Sequence, residues 1–206
     1  YGIIEGVTEW LPISSTGHMI LAEQVLKFSF SAEFMEMFRV VIQLGAILAV
    51  VVLYFKKLWP FCADNGRDSG FSRHFRWPVV RLWCKIIVAC VPAAVLGLLL
   101  DDWLDAHLYN SITVALMLII YGIAFILIER RPRVPTTTKL SRITYKQALI
   151  VGAWQVLALI PGTSRSGSTI IGGLLCGMSR PAASQFTFFL AIPVMAGASG
   201  LKLVKF

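Results

Sequence analysis

Two short stretches place acid, hydroxyl, imidazole and guanidinium groups inside otherwise apolar sequence. The first is EGVTEWLPISSTGH, residues 5–18, and the second is PGTSRSGS, residues 161–168. Glu5 and Glu9 are four residues apart and share one face of any helix that carries them. Pro12 ends or bends that arm. A second arm then starts near Thr16 or Gly17, with Ser14 or Ser15 placed to cap it, and carries His18. In the other stretch Pro161-Gly162 ends one arm. Ser164 or Ser166 can cap the next, which is expected to run from about Gly167 to Gly177. Helix starts offer free N–H groups and the positive end of the dipole, so both attract phosphate. Arg165 stands beside the second start and can grip a phosphate with two N–H groups. Glu5 and Glu9 would repel a diphosphate unless a divalent cation sits between them, and carboxylates with phosphate oxygens are the usual Mg²⁺ arrangement. A serine near a histidine pairs a nucleophile with a proton carrier. Together these groups predict metal-assisted phosphoryl transfer on a membrane-resident substrate.

Plainer roles compete for several of these residues. The hydroxyls of Thr16, Ser166, Ser168 and Thr169 can simply bond back to helix carbonyls. Arg39 and Gln43, four apart near one end of a span, could line the same cavity or serve snorkelling and helix packing. Gly172, Gly173 and Gly177 suit close helix contact. A carboxylate pair or an arginine amid apolar arms is too costly in a membrane to be there for packing.

The elements that must position these groups are membrane helices. The chain of 206 residues is 57% hydrophobic and 15% charged, where a soluble domain has roughly 25% charged residues. Spans are expected at about 35–55, 79–100, 111–129 and 182–204; helices of about 20 residues cross the hydrocarbon. Pro92 and Pro193 are expected to kink two of them. The two broken stretches, 1–28 and 146–179, leave arms too short to span, which predicts re-entrant segments whose backbone lines a polar cavity. Cys62, Cys84, Cys90 and Cys176 show no metal-binding spacing and read as small buried hydrophobes.

The net charge of +8 does not indicate nucleic acid, because the cations cluster in two connections. Lys56, Lys57, Arg67, Arg73, Arg76, Arg81 and Lys85 lie in one; Arg130, Arg131, Arg133, Lys139, Arg142 and Lys146 lie in the other. The intervening tip DDWLDAHLYN has Asp101, Asp102 and Asp105 but no Lys or Arg. By the positive-inside rule 56–85 and 130–146 are cytoplasmic loops and 101–110 is external. The first broken stretch then enters from outside and the second from the cytoplasm. The two also resemble each other: Leu11-Pro12 matches Ile160-Pro161, Ser14-Ser15 matches Thr163-Ser164, and after a one-residue gap Gly17 matches Gly167. The expected fold is therefore an all-α polytopic membrane protein, a transmembrane helix bundle with two re-entrant helix-loop-helix segments in an inverted-topology repeat, which tends to place a site near the midplane. It reads as one membrane domain: a first repeat over 1–55 with its motif at 5–18, a transmembrane hairpin over 86–129, and a second repeat over 147–206 with its motif at 161–169. The chain starts inside an apolar stretch and is expected to be part of a longer protein with further C-terminal helices.

The motifs EGVTEWLPISSTGH and PGTSRSGST resemble the two signature motifs of the undecaprenyl-diphosphatase family, integral-membrane phosphatases linked to bacitracin resistance. FRVVIQLGAILAV and FTFFLAIPVMAGA resemble its flanking segments, so the likeness covers essentially the whole chain. The resemblance implies hydrolysis of undecaprenyl diphosphate to undecaprenyl phosphate and inorganic phosphate, recycling the lipid carrier for peptidoglycan in the bacterial inner membrane. It implies dependence on a divalent cation, Mg²⁺ or Ca²⁺, with Glu5 and Glu9 as the acidic pair for metal or proton transfer. It implies Ser15 as nucleophile with His18 as its partner, and Arg165 with Ser164 as the diphosphate grip. Ser14, Thr16, Ser166, Gly167 and Ser168 are the further candidates for substrate contact. Whether Ser15, His18 or a metal-bound water attacks stays open. Arg39 departs from the pattern, where an acidic residue is expected. Partners expected are the polyprenyl diphosphate and membrane lipids, with a second copy of the chain as a further candidate, and the site is expected to open to the periplasm. A transporter or flippase of polyprenyl phosphate lipids is the rival reading, since inverted repeats with broken helices are common there.

Overall fold

A computed structural model describes residues 1–26, 30–62, 74–130 and 134–205; Arg67, Arg73, Arg131 and Arg133 lie outside the described residues. Among the described residues eight α-helices follow in order: α1 (Gly2–Thr8), α2 (Ser15–Leu26), α3 (Ala32–Leu58), α4 (Trp77–Leu108), α5 (Ser111–Glu129), α6 (Tyr145–Gln155), α7 (Arg165–Leu175) and α8 (Arg180–Lys205). Short 3₁₀ turns at Leu140–Arg142 and Val156–Leu159 flank α6. Stretches within α3, α4, α5 and α8 are long and apolar enough to cross a membrane.

Local chemistry sets the helix starts. Ser31 Oγ accepts from Phe34 N at 3.2 Å ahead of α3, and Asn110 Oδ1 accepts from Thr113 N at 2.9 Å ahead of α5. Thr144 and Gln147 form a reciprocal capping box on α6. Pro78 sits in the first turn of α4, where its missing N–H costs nothing. α4 starts at Trp77, next to the expected start at 79, so the part of the expected 56–85 connection from residue 77 on is helix and its cations hang on the first turns. The far end departs from expectation. It continues to Leu108, so most of the expected external tip is helix too, and only Tyr109 and Asn110 separate it from α5. Asn110 caps the next helix directly, which makes a longer turn unnecessary. Pro92 and Pro193 lie within uninterrupted helices.

α8 is the centre of the bundle. Its Phe186, Phe189 and Leu190 are fully buried against Val50 of α3, Ile86 and Ala89 of α4, and Ala148 and Val151 of α6. The outward faces are apolar, as lipid requires: Val52, Leu99 and Ile112 are each about three-quarters exposed. Cys62, Cys90 and Cys176 are half-buried, and Cys84 is exposed rather than buried. α4 and α6 meet so closely at Gly152 that a Cβ there would lie 2.3 Å from Ala89 O. Gly152→Ala is therefore expected to push the helices apart and cost about 1–3 kcal/mol, as overpacking does. Thermal unfolding in detergent checks this; an unchanged melting temperature would show that the α4–α6 contact yields freely.

Both broken stretches are helical hairpins whose ends return to one level. In the second, Gln147 near the start of α6 donates to Cys176 O after the end of α7, at 3.0 Å. Thr137 pairs with Met178 beside it. In the first, Tyr1 and Glu23 lie close enough to interact. Contacts place many helix ends on one face of the bundle. Trp83 of α4 donates to Leu58 O at the end of α3, at 2.8 Å. Lys85 Nζ lies 5.9 Å from the Tyr145 ring at the start of α6, and Arg180 at the start of α8 pairs with Glu129 at the end of α5. Lys56, Lys57, Arg76, Arg81, Arg130 and Lys146 belong to the same helix ends.

Candidate active site

Each hairpin turns on a serine. Ser14 Oγ accepts from Gly17 N at 3.2 Å and Ser14 O from His18 N at 3.2 Å. Ser164 Oγ accepts from Gly167 N at 3.0 Å and Ser164 O from Ser168 N at 2.8 Å. The cap takes the third N–H of each helix, so the first two of α2 and of α7 have no intrahelical partner. Each cap is packed so closely that a Cβ on the glycine would meet it: at Gly17, 3.2 Å from Ser14 Oγ, and at Gly167, 3.0 Å from Ser164 Cβ. This fixes the register of the repeat. Ser14 corresponds to Ser164, not to Thr163 as the sequence match had it, and the counterpart of Ser15 is Arg165. Ser14 holds a positive φ of 64°, uncommon for a residue with a side chain and worth attention at a turn beside a cavity.

The two hairpin tips touch. Ser166 Oγ donates to Leu11 O at 3.3 Å. Arg165 Nη2 lies 2.6 Å from Glu9 Oε1, and Ser15 Oγ donates to Glu9 Oε2 at 2.6 Å. One carboxylate thus joins the hydroxyl of the first tip to the guanidinium of the second. Arg165 Nε and Nη1 are buried and have no hydrogen-bond partner in the protein. Around these groups lies a cavity of about 510 Å³. Its polar wall includes Glu9, Ser14, Ser15 and Thr16 from the first hairpin and Ser164, Arg165 and Ser166 from the second. Its apolar wall comes from α4 and α8, among them Ala94, Gly97, Pro193 and Ala198.

Not every expected residue reaches the cavity. Glu5 lies behind it, 2% exposed, with neither carboxylate oxygen hydrogen-bonded. Burial and then the Glu9 carboxylate weigh most on it, and the nearby Ser15 hydroxyl bonds to Glu9 instead. His18 is not a lining residue; its Nδ1 meets Ser14 O at 2.8 Å, so the proton acceptor in contact with Ser15 is Glu9. Gly167 and Ser168 sit behind Ser164, where Ser168 bonds to Ser164 O at 3.1 Å and to the Tyr121 hydroxyl at 2.9 Å. Thr169 bonds back to Arg165 O at 2.9 Å. Arg39 and Gln43 separate: Gln43 lines the cavity and approaches Thr16 Oγ1 at 3.5 Å. Arg39 makes a two-pronged pair with Glu23, both contacts 2.9 Å. Sequence reasoning missed Glu23, and it missed Gln155 and Thr163 in the cavity wall.

Among the described residues no three His, Cys, Asp or Glu side chains come together. The donor set nonetheless fits a hard cation. Glu5 keeps two unpartnered oxygens next to Glu9 and Ser15, a costly arrangement unless something positive joins it, and phosphate oxygens would complete the shell.

The chain is similar to known proteins along its whole length. The bacitracin resistance protein BacA family matches residues 1–206. A protein of Enterococcus faecalis named undecaprenyl-diphosphatase is 61% identical over 207 residues, covering 100% of this chain and 73% of the relative. One of the same name from Desulfitobacterium hafniense is 60% identical over 211 residues, covering 100% and 73%. Another from Streptococcus sanguinis is 58% identical over 208 residues, covering 100% and 72%. Matched from end to end, with both hairpin motifs inside the match, the chain belongs to the bacitracin resistance protein BacA family.

Proposed function

We propose that this membrane protein hydrolyses undecaprenyl diphosphate to undecaprenyl phosphate and inorganic phosphate, the activity its relatives are named for. The single observation that carries the site assignment is the Ser15–Glu9–Arg165 chain across the two hairpin tips, set in a cavity with one wall polar and one apolar. The diphosphate sits on the tips and the prenyl chain leaves along α4 and α8. Arg165 and the free N–H groups at the starts of α2 and α7 take up the charge that grows on the phosphoryl oxygens. Ser15 Oγ attacks the terminal phosphorus while its proton passes to Glu9; the bond from that phosphorus to the bridging oxygen breaks and undecaprenyl phosphate departs. Water then cleaves the phosphoserine and releases inorganic phosphate. Glu5 and Glu9 would hold a divalent cation, Mg²⁺ or Ca²⁺, which when bound supplies further neutralisation of the phosphoryl oxygens.

The inner bacterial membrane and a periplasmic opening complete the reading. The clustered basic helix ends belong on the cytoplasmic side by the positive-inside rule. The cavity runs from Cys90 and Pro193 at mid-helix toward Leu98 and Leu201, away from that face. Both hairpins are then re-entrant, from opposite leaflets.

The decisive assay uses purified protein in detergent with undecaprenyl diphosphate and Mg²⁺, reading free phosphate. Detergent abolishes compartments, so a flippase alone would release none and would overturn the reading. A chelator is expected to lower the rate by about tenfold or more, with recovery on adding excess Mg²⁺; an unchanged rate would remove the cation from the proposal.

A further inference from the structure

The last residue of α6 is a glutamine that the packing does not explain. Gln155 is 2% exposed, and neither its Nε2 nor its Oε1 meets a hydrogen-bond partner in the protein. Thr163, 6% exposed, has a buried hydroxyl in the same condition. Both line the cavity described above, and they flank the Val156–Leu159 turn and Pro161-Gly162 on the approach to Ser164 and Arg165. Burying an amide and a hydroxyl unpaired is expensive, and apolar residues of the same shape would avoid the expense. Such groups persist where a ligand satisfies them.

The wall they stand in defines that ligand. From the second hairpin the cavity receives Gln155, Thr163, Ser164, Arg165 and Ser166, which are neutral donors or a cation, with no carboxylate among them. Among the described residues the acid at this cavity comes from the first hairpin, through Glu9 with Glu5 behind it. The cavity is therefore polarised: nucleophile and acid on one side, anion recognition on the other. We infer that Gln155 and Thr163 form a neutral phosphate-binding subsite continuous with Arg165, in which Gln155 Nε2 and Thr163 Oγ1 donate to phosphoryl oxygens of the diphosphate while Gln155 Oε1 accepts from a water of its shell. The inference rests on the proposed diphosphatase reading and adds two positioning residues to it. A neutral subsite holds the phosphate without deepening the charge well around Arg165, so the product can leave.

The test uses Gln155→Leu and Thr163→Val in the purified full chain, with two readouts. The first is the steady-state rate on undecaprenyl diphosphate; KM is expected to rise about tenfold to a hundredfold per variant, as for a lost hydrogen bond to a charged group. The second is the melting temperature with and without inorganic pyrophosphate. The ligand-free melting temperature is expected to stay level or rise, because each substitution removes an unpaired dipole, while the pyrophosphate-induced shift shrinks. A fall in the ligand-free melting temperature with unchanged KM would overturn the inference by showing a structural role. Wild-type KM and a wild-type pyrophosphate shift in both variants would overturn it as well. If the wild-type protein binds pyrophosphate through these residues but releases no phosphate from the lipid, the subsite stands and the diphosphatase reading falls.

Discussion

Arg165→Ala is expected to lower phosphate release from undecaprenyl diphosphate by about 10²–10³-fold in kcat/KM, the range for removing a donor aimed at charge that develops in the transition state. The geometry supplies the reason. Nη2 holds Glu9 at 2.6 Å, and the buried Nε and Nη1 have no protein acceptor, so two of the guanidinium's donor positions are left for a phosphoryl group to pair when it seats. Arg165→Lys keeps a positive charge but not the fork, and is expected to recover only part of the loss. Stability moves separately. The alanine variant leaves the Glu9 carboxylate without its cation, and because the two side chains are 16% and 13% exposed, the penalty is a fraction of that for a fully buried pair, about 1–3 kcal/mol. Adding Glu9→Ala removes the stranded charge. The double variant is therefore expected to melt higher than Arg165→Ala alone while remaining just as inactive. A double-mutant cycle on melting temperature and on phosphate release separates the two roles. Wild-type kcat/KM in Arg165→Ala would remove the arginine from the site.

The architecture was legible where sequence breaks coincide with polar groups. Pro12 and Pro161-Gly162 cut apolar runs into arms too short to span, and the residues after each cut can only be helix starts. Glu9, Ser15 and Arg165 stood out for the same reason, since lipid tolerates such groups only in a shared cavity. The register between the repeats was not legible: matching residue types favoured Ser14 with Thr163, whereas the capping hydrogen bonds align Ser14 with Ser164. Identity of side chains is a weak guide when the feature the two hairpins share is an N–H reaching a serine oxygen. The Glu23–Arg39 pair was hidden because it joins residues 16 apart on two different helices, α2 and α3, a distance no helical periodicity reveals. Gln155 was hidden because one amide at the end of a short apolar arm looks like an ordinary helix terminus. Its meaning comes from what surrounds it. The 56–85 connection was drawn too long at its far end because Arg81 and Lys85 read as loop, although long cationic side chains in the first turns of a helix reach the interface without ending it.

Ser15→Ala and Glu9→Gln are expected to be equivalent in effect, each reducing phosphate release by at least about 10²–10⁴-fold, the span of general acid–base contributions. The Ser15 hydroxyl points its proton at Glu9 Oε2 across 2.6 Å. Removing the oxygen removes the nucleophile, and removing the acceptor's charge leaves the nucleophile holding its proton. Groups that act in one step are not additive, so the double variant should be no slower than the slower single variant. His18 discriminates between the two candidate proton carriers. Its Nδ1 is committed to Ser14 O at 2.8 Å, one turn back along its own helix, and its contribution is to steady the cap of that helix. His18→Ala is accordingly expected to cost only about tenfold, with part of the effect seen as a lower melting temperature. Should His18→Ala instead match Ser15→Ala while Glu9→Gln stays within a few-fold of wild type, the proton goes to the imidazole. The Ser15–Glu9 contact would then be a resting arrangement that substrate binding rearranges. Rates of phosphate release from all four proteins at saturating undecaprenyl diphosphate decide between these assignments, because at saturation a weaker grip on substrate no longer contributes.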